Sequence, residues 1–407
     1  MKFGGVLKWV ALVALGLATR GWGQEVIPLE LGWQGDVQRL FIYVGIDGGP
    51  VNKYLFDTGS AGFNAAYYDG AYTGPDPNPA LWTNTGTLAA SGTVTYGSAT
   101  SGFSYQLNEV TVNSIQIYNP TDLLGPAAIV LTGNYQMGQV VNKYDHTGAV
   151  VTSFQSNLSQ GLAPENGIYG TFGAALYTGL NATGSQAFVN SSILGQATTS
   201  GWAVVANDSG SAYAILGLDE GIRSQFTSTM AWTGSGGPAF PGSGANASTE
   251  FGGGDMTYVL SGSGQTPVVW TAKTLLDTGT QDNTLNAKDA DLTGYMNGTR
   301  VKEGYDLAIT GTDAGAGTYD FTTTGDKPDP PTYDVTLGTA TDTSTVGIGF
   351  YLNNSVAFDL ANQQTLYTDA TVTVPEPGTV ALMGLGCLAV GAGLRRRGSR
   401  GLDGAGA

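Results

Sequence analysis

Short apolar runs alternate with clusters of Gly, Asn, Asp and Pro through most of the chain between residues 24 and 373. The segment "QRLFIYVGIDGGPVNKYLFDTG" is typical, since it predicts a hairpin with a strand near 40–46, a turn at 47–49 and a second strand that ends at Asp57. Helical periodicity is rare, and its two best examples, "SQAFVNSSILGQ" and "NAKDADLTGYMNG", are short. The pattern predicts an all-β protein with a few short helices.

The two ends of the chain differ from this pattern. Residues 1–23 have a basic start, an apolar centre and small residues near the end, which predicts a secretory signal peptide. Residues 374–397 join Pro-Glu-Pro, an apolar stretch and three arginines, which taken alone predicts a short transmembrane helix with its arginines on the cytoplasmic side. Residues 398–407 are a polar tail.

Length and charge narrow the class of protein. A chain of 407 residues with 41% apolar content exceeds the size at which one core usually stops growing, about 250 residues. We therefore expect two β lobes, at 24–218 and 219–373. The formal net charge of -16 makes nucleic acid a poor partner, because binding it requires a basic surface.

The reactive side chains exclude several kinds of catalysis. The sequence contains one cysteine, Cys387, and one histidine, His146, in a polar context typical of an ordinary surface residue. Serine and cysteine triads normally need a histidine base, and zinc sites need several His or Cys ligands. We therefore expect neither a metal nor a cofactor, and no intrachain disulfide can form. Carboxylates, hydroxyls and backbone groups remain.

One compound motif occurs twice, once in each predicted lobe. An apolar strand leads into Asp, Thr, Gly and a hydroxyl residue, in "YLFDTGS" and again in "LLDTGT". Each copy could be an ordinary turn that ends a strand, with glycine providing the unusual backbone angles. Turn chemistry alone does not require the apolar run and the second hydroxyl in both copies. The residues of the two copies are Asp57, Thr58, Gly59 and Ser60, and Asp277, Thr278, Gly279 and Thr280.

The two copies make chemical sense as a pair. If Asp57 and Asp277 meet between the lobes, they cannot both ionise and will share one proton. The ionised member can accept a proton from water while the protonated member polarises a peptide carbonyl. The glycines would donate N–H groups to the carboxylates, Ser60 and Thr280 would hydrogen-bond the outer carboxylate oxygens, and Thr58 and Thr278 would reach backbone across the interface.

The middle of the chain resembles the pepsin-like aspartic peptidases in six segments, which occur in the family's order. "YVGIDGGPVNKYLFDTGS" and "LLDTGT" are similar to the two catalytic loops, and "GTVTYGSATSGFSYQLNEVTV" is similar to the flap hairpin. "ENGIYGTFG" resembles a segment that supports the first aspartate through Ile168, Tyr169 and Gly170, and "GWAVVANDSGSAYAILGLDEG" resembles the crossing between lobes. "VGIGFYLNNSVAFDLANQQTLYT" resembles the last hairpin, around Phe358, Asp359 and Asn362. The resemblance implies a bilobal pepsin-like acid protease fold with pseudo-symmetric lobes around a central cleft. It implies Asp57 and Asp277 as catalytic residues, and Tyr96, Gly97 and Ser98 as the flap.

The C-terminal segment closely resembles the PEP-CTERM sorting signal of Gram-negative bacteria. The resemblance rests on Val374-Pro375-Glu376-Pro377, the apolar stretch and the cluster Arg395 to Arg397. It implies processing by an exosortase-type membrane enzyme and delivery to the cell surface or extracellular matrix. The membrane anchor would then be either transient or retained.

These observations predict a secreted or surface-sorted aspartic endopeptidase, a monomer that binds a peptide or protein substrate and works best at acidic pH. Two departures from the family pattern, together with the little room for an inhibitory propeptide between the leader and the first strand, motivate an alternative, a catalytically impaired binding module of the extracellular matrix. Asn64 stands where the family carries a tryptophan that hydrogen-bonds the flap tyrosine, and Gln281 stands where it prefers a hydroxyl residue. A third hypothesis is a structural β-rich matrix protein whose two motifs are chance turns.

Overall fold

The computed structural model describes 13 stretches of the chain: 24–83, 91–97, 102–176, 179–180, 189–207, 209–232, 239–247, 254–262, 264–287, 290–312, 316–324, 335–337 and 343–374. At 179–180 and 189–190 only the backbone is described. The predicted signal peptide, Ser98 of the predicted flap, and the sorting segment and tail from residue 375 onward lie outside these stretches.

Strands dominate the described residues, and they alternate with turns as the sequence pattern predicts. Their bounds are β1 (Glu25–Gln34), β2 (Val37–Ile46), β3 (Asn52–Asp57), β4 (Phe63–Ala66), β5 (Ser91–Tyr96), β6 (Phe103–Tyr118), β7 (Ile129–Asp145), β8 (Gly170–Gly173), β9 (Gly179–Leu180), β10 (Val189–Asn190), β11 (Trp202–Ala206), β12 (Ser211–Leu216), β13 (Ser228–Ala231), β14 (Gly254–Gly262), β15 (Gln265–Leu276), β16 (Asn283–Leu285), β17 (Met296–Asn297), β18 (Arg300–Val301), β19 (Asp306–Gly311), β20 (Thr318–Thr322), β21 (Val335–Leu337), β22 (Thr343–Val346), β23 (Ser355–Asp359) and β24 (Gln364–Thr368).

Two large sheets organise the described strands. The first has 13 strands in the order β13-β24-β23-β11-β12-β1-β2-β3-β8-β4-β7-β6-β5, and the second has nine in the order β17-β18-β21-β16-β22-β15-β14-β19-β20. Strands β9 and β10 form a separate two-stranded pair. Each large sheet contains one of the two Asp-Thr-Gly motifs. The all-β prediction is confirmed.

The described part of the chain contains four short helices, Thr152–Ser159, Ile193–Ala197, Glu220–Arg223 and Ile348–Asn353. The helix predicted from "SQAFVNSSILGQ", residues 185–196, overlaps the observed helix Ile193–Ala197 only in its last four residues. The helix predicted over 286–298 is wrong, because the described residues there form turns and the short strand β17. The Asp291 carboxylate accepts hydrogen bonds from both the N–H and the hydroxyl of Thr293, a local pattern that competes with a helix. No described helix has the length and apolar character needed to cross a bilayer.

Strand β2 shows how the period of two builds the first sheet. Its residues Leu40, Ile42 and Val44 are fully buried in the main hydrophobic core. The alternate residues Arg39, Phe41 and Tyr43 point to the opposite face, where Phe41 is buried and Arg39 and Tyr43 stay partly exposed. Because Asp57 alternates with the buried Phe56 in the neighbouring strand β3, its side chain points away from the core as well.

Both aspartates follow a strand that lies inside its sheet. Strand β3 pairs antiparallel with β2 and parallel with β8, and β15 pairs antiparallel with β14 and parallel with β22. Two flanking partners fix the direction of the backbone at the point where each strand ends. The sheets therefore hold both motifs rigidly, which is what a precise site requires.

The last hairpin, β23 and β24, returns to the first sheet by pairing with β11. It carries Phe358, Asp359 and Asn362, the residues on which its resemblance to the family's last hairpin rests. The larger sheet thus contains strands from both sides of residue 218. The division of the chain into lobes at that residue stays a prediction.

A buried ion pair fastens this hairpin to the helix Glu220–Arg223. Asp359 is fully buried, and the Arg223 guanidinium donates from Nε to Oδ2 at 2.9 Å and from Nη2 to Oδ1 at 3.2 Å. The Asn362 amide donates to the same carboxylate at 2.6 Å. The attachment of the hairpin therefore depends on the Asp359 carboxylate, which has no access to water.

We expect Arg223→Met to lower the free energy of unfolding by about 3–5 kcal/mol, because it leaves the Asp359 carboxylate buried without its counter-charge. Urea unfolding at neutral pH measures the effect. Lys302→Met is the matched control, since Lys302 is an exposed cation whose ammonium donates to the Gly294 carbonyl. A loss from Arg223→Met no larger than that of the control would contradict the assignment.

Candidate active site

The two Asp-Thr-Gly loops meet and exchange hydrogen bonds through their threonines. The Thr58 N–H donates to Thr278 Oγ1 at 3.1 Å, and the Thr278 N–H donates to Thr58 Oγ1 at 2.9 Å. Each hydroxyl in turn donates at 2.8 Å to the backbone carbonyl two residues before the other threonine, Leu276 for Thr58 and Phe56 for Thr278. Both threonines are buried. The four hydrogen bonds form a nearly two-fold symmetric lock between the loops.

This lock brings the two carboxyl groups together. The Gly59 N–H donates to Asp57 Oδ1 at 2.8 Å, and the Gly279 N–H donates to Asp277 Oδ1 at 2.7 Å. A Cβ on Gly59 would stand 2.5 Å from Asp277 Oδ1, and a Cβ on Gly279 would stand 2.5 Å from Asp57 Oδ1. Each carboxyl therefore rests on the glycine of the opposite loop, at a distance that only glycine permits.

The surroundings of the two carboxyls differ. The Ser60 hydroxyl donates to Asp57 Oδ2, so Asp57 accepts from two donors of its own loop. Within the described residues the Thr280 hydroxyl makes no such bond to Asp277. Thr280 acts instead through its backbone carbonyl, which accepts from the Ile348 N–H at 2.8 Å. Because donors favour the ionised form of a carboxyl, a single proton shared by the pair lies on Asp277.

Electrostatics favours the same position for the proton. Burial raises the pKa of the Asp277 carboxyl well above its ordinary value, and the neighbouring Asp57 carboxyl raises it further through charge and a hydrogen bond. The Gly279 N–H and the positive charge of Arg39 act in the opposite direction. Asp277 is therefore protonated over a pH range in which an exposed aspartate is already ionised.

Sequence reasoning missed Tyr351, which supports both loops from beneath. Its side chain is fully buried, its hydroxyl donates to the Leu276 carbonyl at 2.9 Å, and its oxygen lies 2.9 Å from Thr58 Oγ1. Burial raises the pKa of Tyr351 well above its ordinary value, so the phenol remains a donor. In the sequence this tyrosine belongs to an apolar run, "GIGFYL", which looks like ordinary core.

A glycine of a neighbouring strand supports each loop. Gly173 of β8 is level with Asp57, and a Cβ there would stand 2.5 Å from the Ser60 carbonyl oxygen. Gly347, just after β22, would place a Cβ 2.6 Å from the Gln281 carbonyl oxygen. The predicted support at Ile168, Tyr169 and Gly170 is therefore three residues too early. Strand pairing sets this register, and either glycine of "GTFG" satisfies the sequence pattern.

The predicted flap is a hairpin of β5 and β6, in which Tyr96 is opposite Phe103. The Tyr96 ring stacks on Phe103 with centroids 5.2 Å apart. Burial raises the pKa of the Tyr96 hydroxyl, and the charge of Asp57 is a further cause in the same direction. Gly97 follows at a φ of 76°, where the hairpin begins to turn. The tyrosine thus lies within electrostatic reach of the first aspartate.

Asn64 holds this tyrosine. It is fully buried in β4, and its Nδ2 donates to the Tyr96 hydroxyl at 2.7 Å. The family pattern places a tryptophan at this position to make the same kind of bond. Here a shorter side chain makes it, so the departure at Asn64 does not leave the flap tyrosine without a partner.

We expect Asn64→Ala to lower kcat/KM about tenfold, because a buried hydrogen bond that positions Tyr96 is lost. Steady-state kinetics on a peptide substrate measures the change. Tyr96→Phe removes the same bond from the other side, so the double variant should be little worse than either single one. Additive losses in this cycle would contradict a role for Asn64 through Tyr96.

Within the described residues, no three His, Cys, Asp or Glu side chains are grouped so that they could hold a metal ion. The polar atoms that converge at the site are two carboxyls, their glycine N–H donors and the hydroxyls of Ser60, the paired threonines and Tyr351. Such a set can hold and move protons at a water molecule.

Comparison with known proteins adds the following. Residues 373–397 match the PEP-CTERM protein-sorting motif. The chain carries that sorting signal. The motif indicates export and sorting to the cell surface, and it implies recognition by an exosortase. No curated protein sequence matches the chain. Among solved structures, the chain is similar to an aspartic proteinase from Irpex lacteus, with 14% identity, a TM-score of 0.49, and coverage of 87% of this chain and 99% of that one.

Proposed function

We propose that the protein is a surface-sorted aspartic endopeptidase whose catalytic groups are Asp57 and Asp277. The observation that carries the proposal is the mutual seating of the two carboxyls, each against the opposite loop's glycine. An Asp-Thr-Gly turn that only ended a strand would have no reason to meet its counterpart through four reciprocal hydrogen bonds. The hypothesis of chance turns loses its support.

The proposed reaction uses one proton on the pair. Asp57 accepts a proton from a water molecule held between the carboxyls, while Asp277 donates its proton to the oxygen of the scissile carbonyl. The water oxygen bonds to the carbonyl carbon and gives a tetrahedral diol. Asp57 then passes its proton to the amide nitrogen as the C–N bond breaks, and the diol returns a proton to Asp277. The pair ends in its starting state.

The substrate is an extended peptide between the dyad and the flap. Tyr96 closes over it, held by Asn64. The alternative, a binding module without catalysis, rested on Asn64 and Gln281. Because Asn64 provides a hydrogen-bond partner for the flap tyrosine, it no longer favours that alternative. Sorting to the cell surface is consistent with a protein or peptide substrate outside the cell.

Proteolysis of denatured casein by the purified protein tests the proposal, measured from about pH 3 to pH 7, the range in which carboxyl pairs titrate. We expect cleavage to be greatest in acid, since activity falls as Asp277 loses its proton. Both Asp57→Asn and the transition-state mimic pepstatin should abolish it. A folded protein with no cleavage at any pH, or with cleavage that survives Asp57→Asn, would overturn the proposal.

A further inference from the structure

A single arginine shares the face of the sheet that carries the first aspartate. Strands β2 and β3 pair with Phe41 opposite Leu55, and the same register extended by two residues brings Arg39 level with Asp57. Both side chains alternate with core residues, Arg39 with Leu40 and Asp57 with Phe56, so both point away from the core. Arg39 therefore lies beside the dyad on the side where substrate binds.

Two nitrogen atoms of the Arg39 guanidinium lack the partners that buried donors normally have. Its Nε and Nη1 atoms are buried, and neither has a hydrogen-bond partner within the described part of the chain. Burial lowers the pKa of Arg39, and the charges of Asp277, Asp57 and Asp282 act against that effect. The side chain as a whole keeps part of its surface exposed. Buried donor atoms without an acceptor are costly unless a ligand supplies one.

The two dyad carboxyls do not accept a hydrogen bond from Arg39 Nε or Nη1. Asp57 uses its oxygens to accept from the Gly59 N–H and the Ser60 hydroxyl, and Asp277 accepts from the Gly279 N–H. Arg223 offers a contrast within the same chain, because its guanidinium meets the Asp359 carboxylate with two hydrogen bonds.

We propose that Arg39 is a specificity residue that binds the carboxylate of a glutamate or aspartate side chain in the substrate, next to the catalytic pair. This inference rests on the proposed function, because that function gives the position of the substrate cleft. A guanidinium presents a planar fork of donors that matches the two oxygens of a carboxylate, and such bonds are stronger than those to neutral acceptors. Arg39 remains charged at every pH at which the protein works.

The chemistry limits which substrates benefit. A glutamate side chain is ionised above about pH 4.3, so the preference for it should weaken in stronger acid. A glutamine of the same shape offers one neutral oxygen and cannot form the ionic pair. The comparison of glutamate with glutamine therefore separates recognition of a charge from simple hydrogen bonding or shape.

Peptide binding to the Asp277→Asn variant tests the inference without requiring cleavage. The probes are matched pairs of extended peptides that differ only by Glu or Gln at one position, scanned along the peptide, with fluorescence anisotropy at about pH 6 as the readout, where glutamate is ionised. We expect one position at which Glu binds at least about tenfold more tightly than Gln. That preference should vanish when Arg39→Gln is added and should survive the exposed-site control Lys302→Gln. Arg39→Lys, which keeps the charge without the fork, should retain part of it.

The outcomes separate this inference from the proposed function. Equal binding of Glu and Gln at every position overturns the role of Arg39, even if the parent protein cleaves casein. A Glu preference that depends on Arg39 supports the role, even if the parent protein cleaves nothing. A Glu preference that persists in Arg39→Gln assigns the recognition to another residue and also overturns the inference. If Arg39 variants fail to fold, equal binding by the Asp277→Asn protein alone still refutes it.

Discussion

Replacement of Gly279 by alanine is expected to lower peptidase activity at least about 100-fold, the loss associated with a displacement of about 1 Å at a catalytic centre. The new Cβ would stand 2.5 Å from Asp57 Oδ1, so the carboxyl or the loop must move. The displaced group belongs to the opposite loop, hence the substitution separates the pair without changing either aspartate. Gly59→Ala should have the same effect on Asp277. Steady-state kinetics on a peptide substrate measures both.

The matched control is Gly294→Ala. Gly294 is exposed, and the nearest atom to an added Cβ is the end of a flexible side chain, Gln265 Oε1 at 3.2 Å. This variant should keep the parent activity within about twofold, since surface substitutions cost little. Circular dichroism separates local displacement from unfolding. Full activity in a folded Gly279→Ala protein would mean that the carboxyls do not work in the arrangement described.

The sequence predicts the parts of this molecule that local chemistry determines. The strand before Asp57 and its turn follow from an apolar run, an Asp-Gly-Gly turn and a second apolar run, all within about 20 residues, the scale at which turn rules apply. The flap hairpin and the last hairpin are predicted from segments that resemble those of the pepsin-like family. Because each such element needs only its own neighbours, its pattern is readable without the rest of the chain.

Contacts between distant segments are not predictable in this way. Tyr351 joins Thr58 across 293 positions, and nothing in an apolar run marks one tyrosine as a donor to a remote loop. The support at Gly173 depends on the parallel register of β3 and β8, and the sequence offers two equivalent glycines. The helix predicted over 286–298 is wrong for another reason. The Asp291 carboxylate accepts hydrogen bonds from the N–H and the hydroxyl of Thr293, and this local pattern stabilises a turn instead of a helix.

Asn64 and Arg39 illustrate how the role of a residue becomes clear only from its contacts in three dimensions. Asn64 suggests a weakened flap when it is compared with a tryptophan, yet its amide reaches the Tyr96 hydroxyl at 2.7 Å. Arg39 is an unremarkable strand residue in the sequence, and its place beside the dyad follows from strand register. The partners that a side chain contacts across the site thus decide the effect of a substitution there.

The surroundings of Asp57 and Asp277 differ, and this difference predicts a large effect of Asp277→Asn. Asp277→Asn should lower activity by about 10²–10⁴-fold, the range for loss of a positioned acid or base, because an amide cannot pass its proton to the carbonyl and back. The same change should make the folded protein more stable at neutral pH. Burial and the Asp57 carboxyl raise the pKa of Asp277 in the folded state. Its contribution to stability is therefore complete below the unfolded pKa of about 3.9 and is lost as the pH rises through the folded pKa.

Chemical unfolding at a series of pH values from about 4 to 8 tests this sign, since the window begins at the unfolded pKa of aspartate. The parent should lose stability across the window, and Asp277→Asn should lose less, because the asparagine stays neutral. Asp320→Asn, at an exposed position of β20, is the matched control and should follow the parent. If Asp277→Asn loses stability with pH as steeply as the parent, the buried proton lies elsewhere. The division of roles between the two aspartates would then be reversed, with Asp57 as the acid.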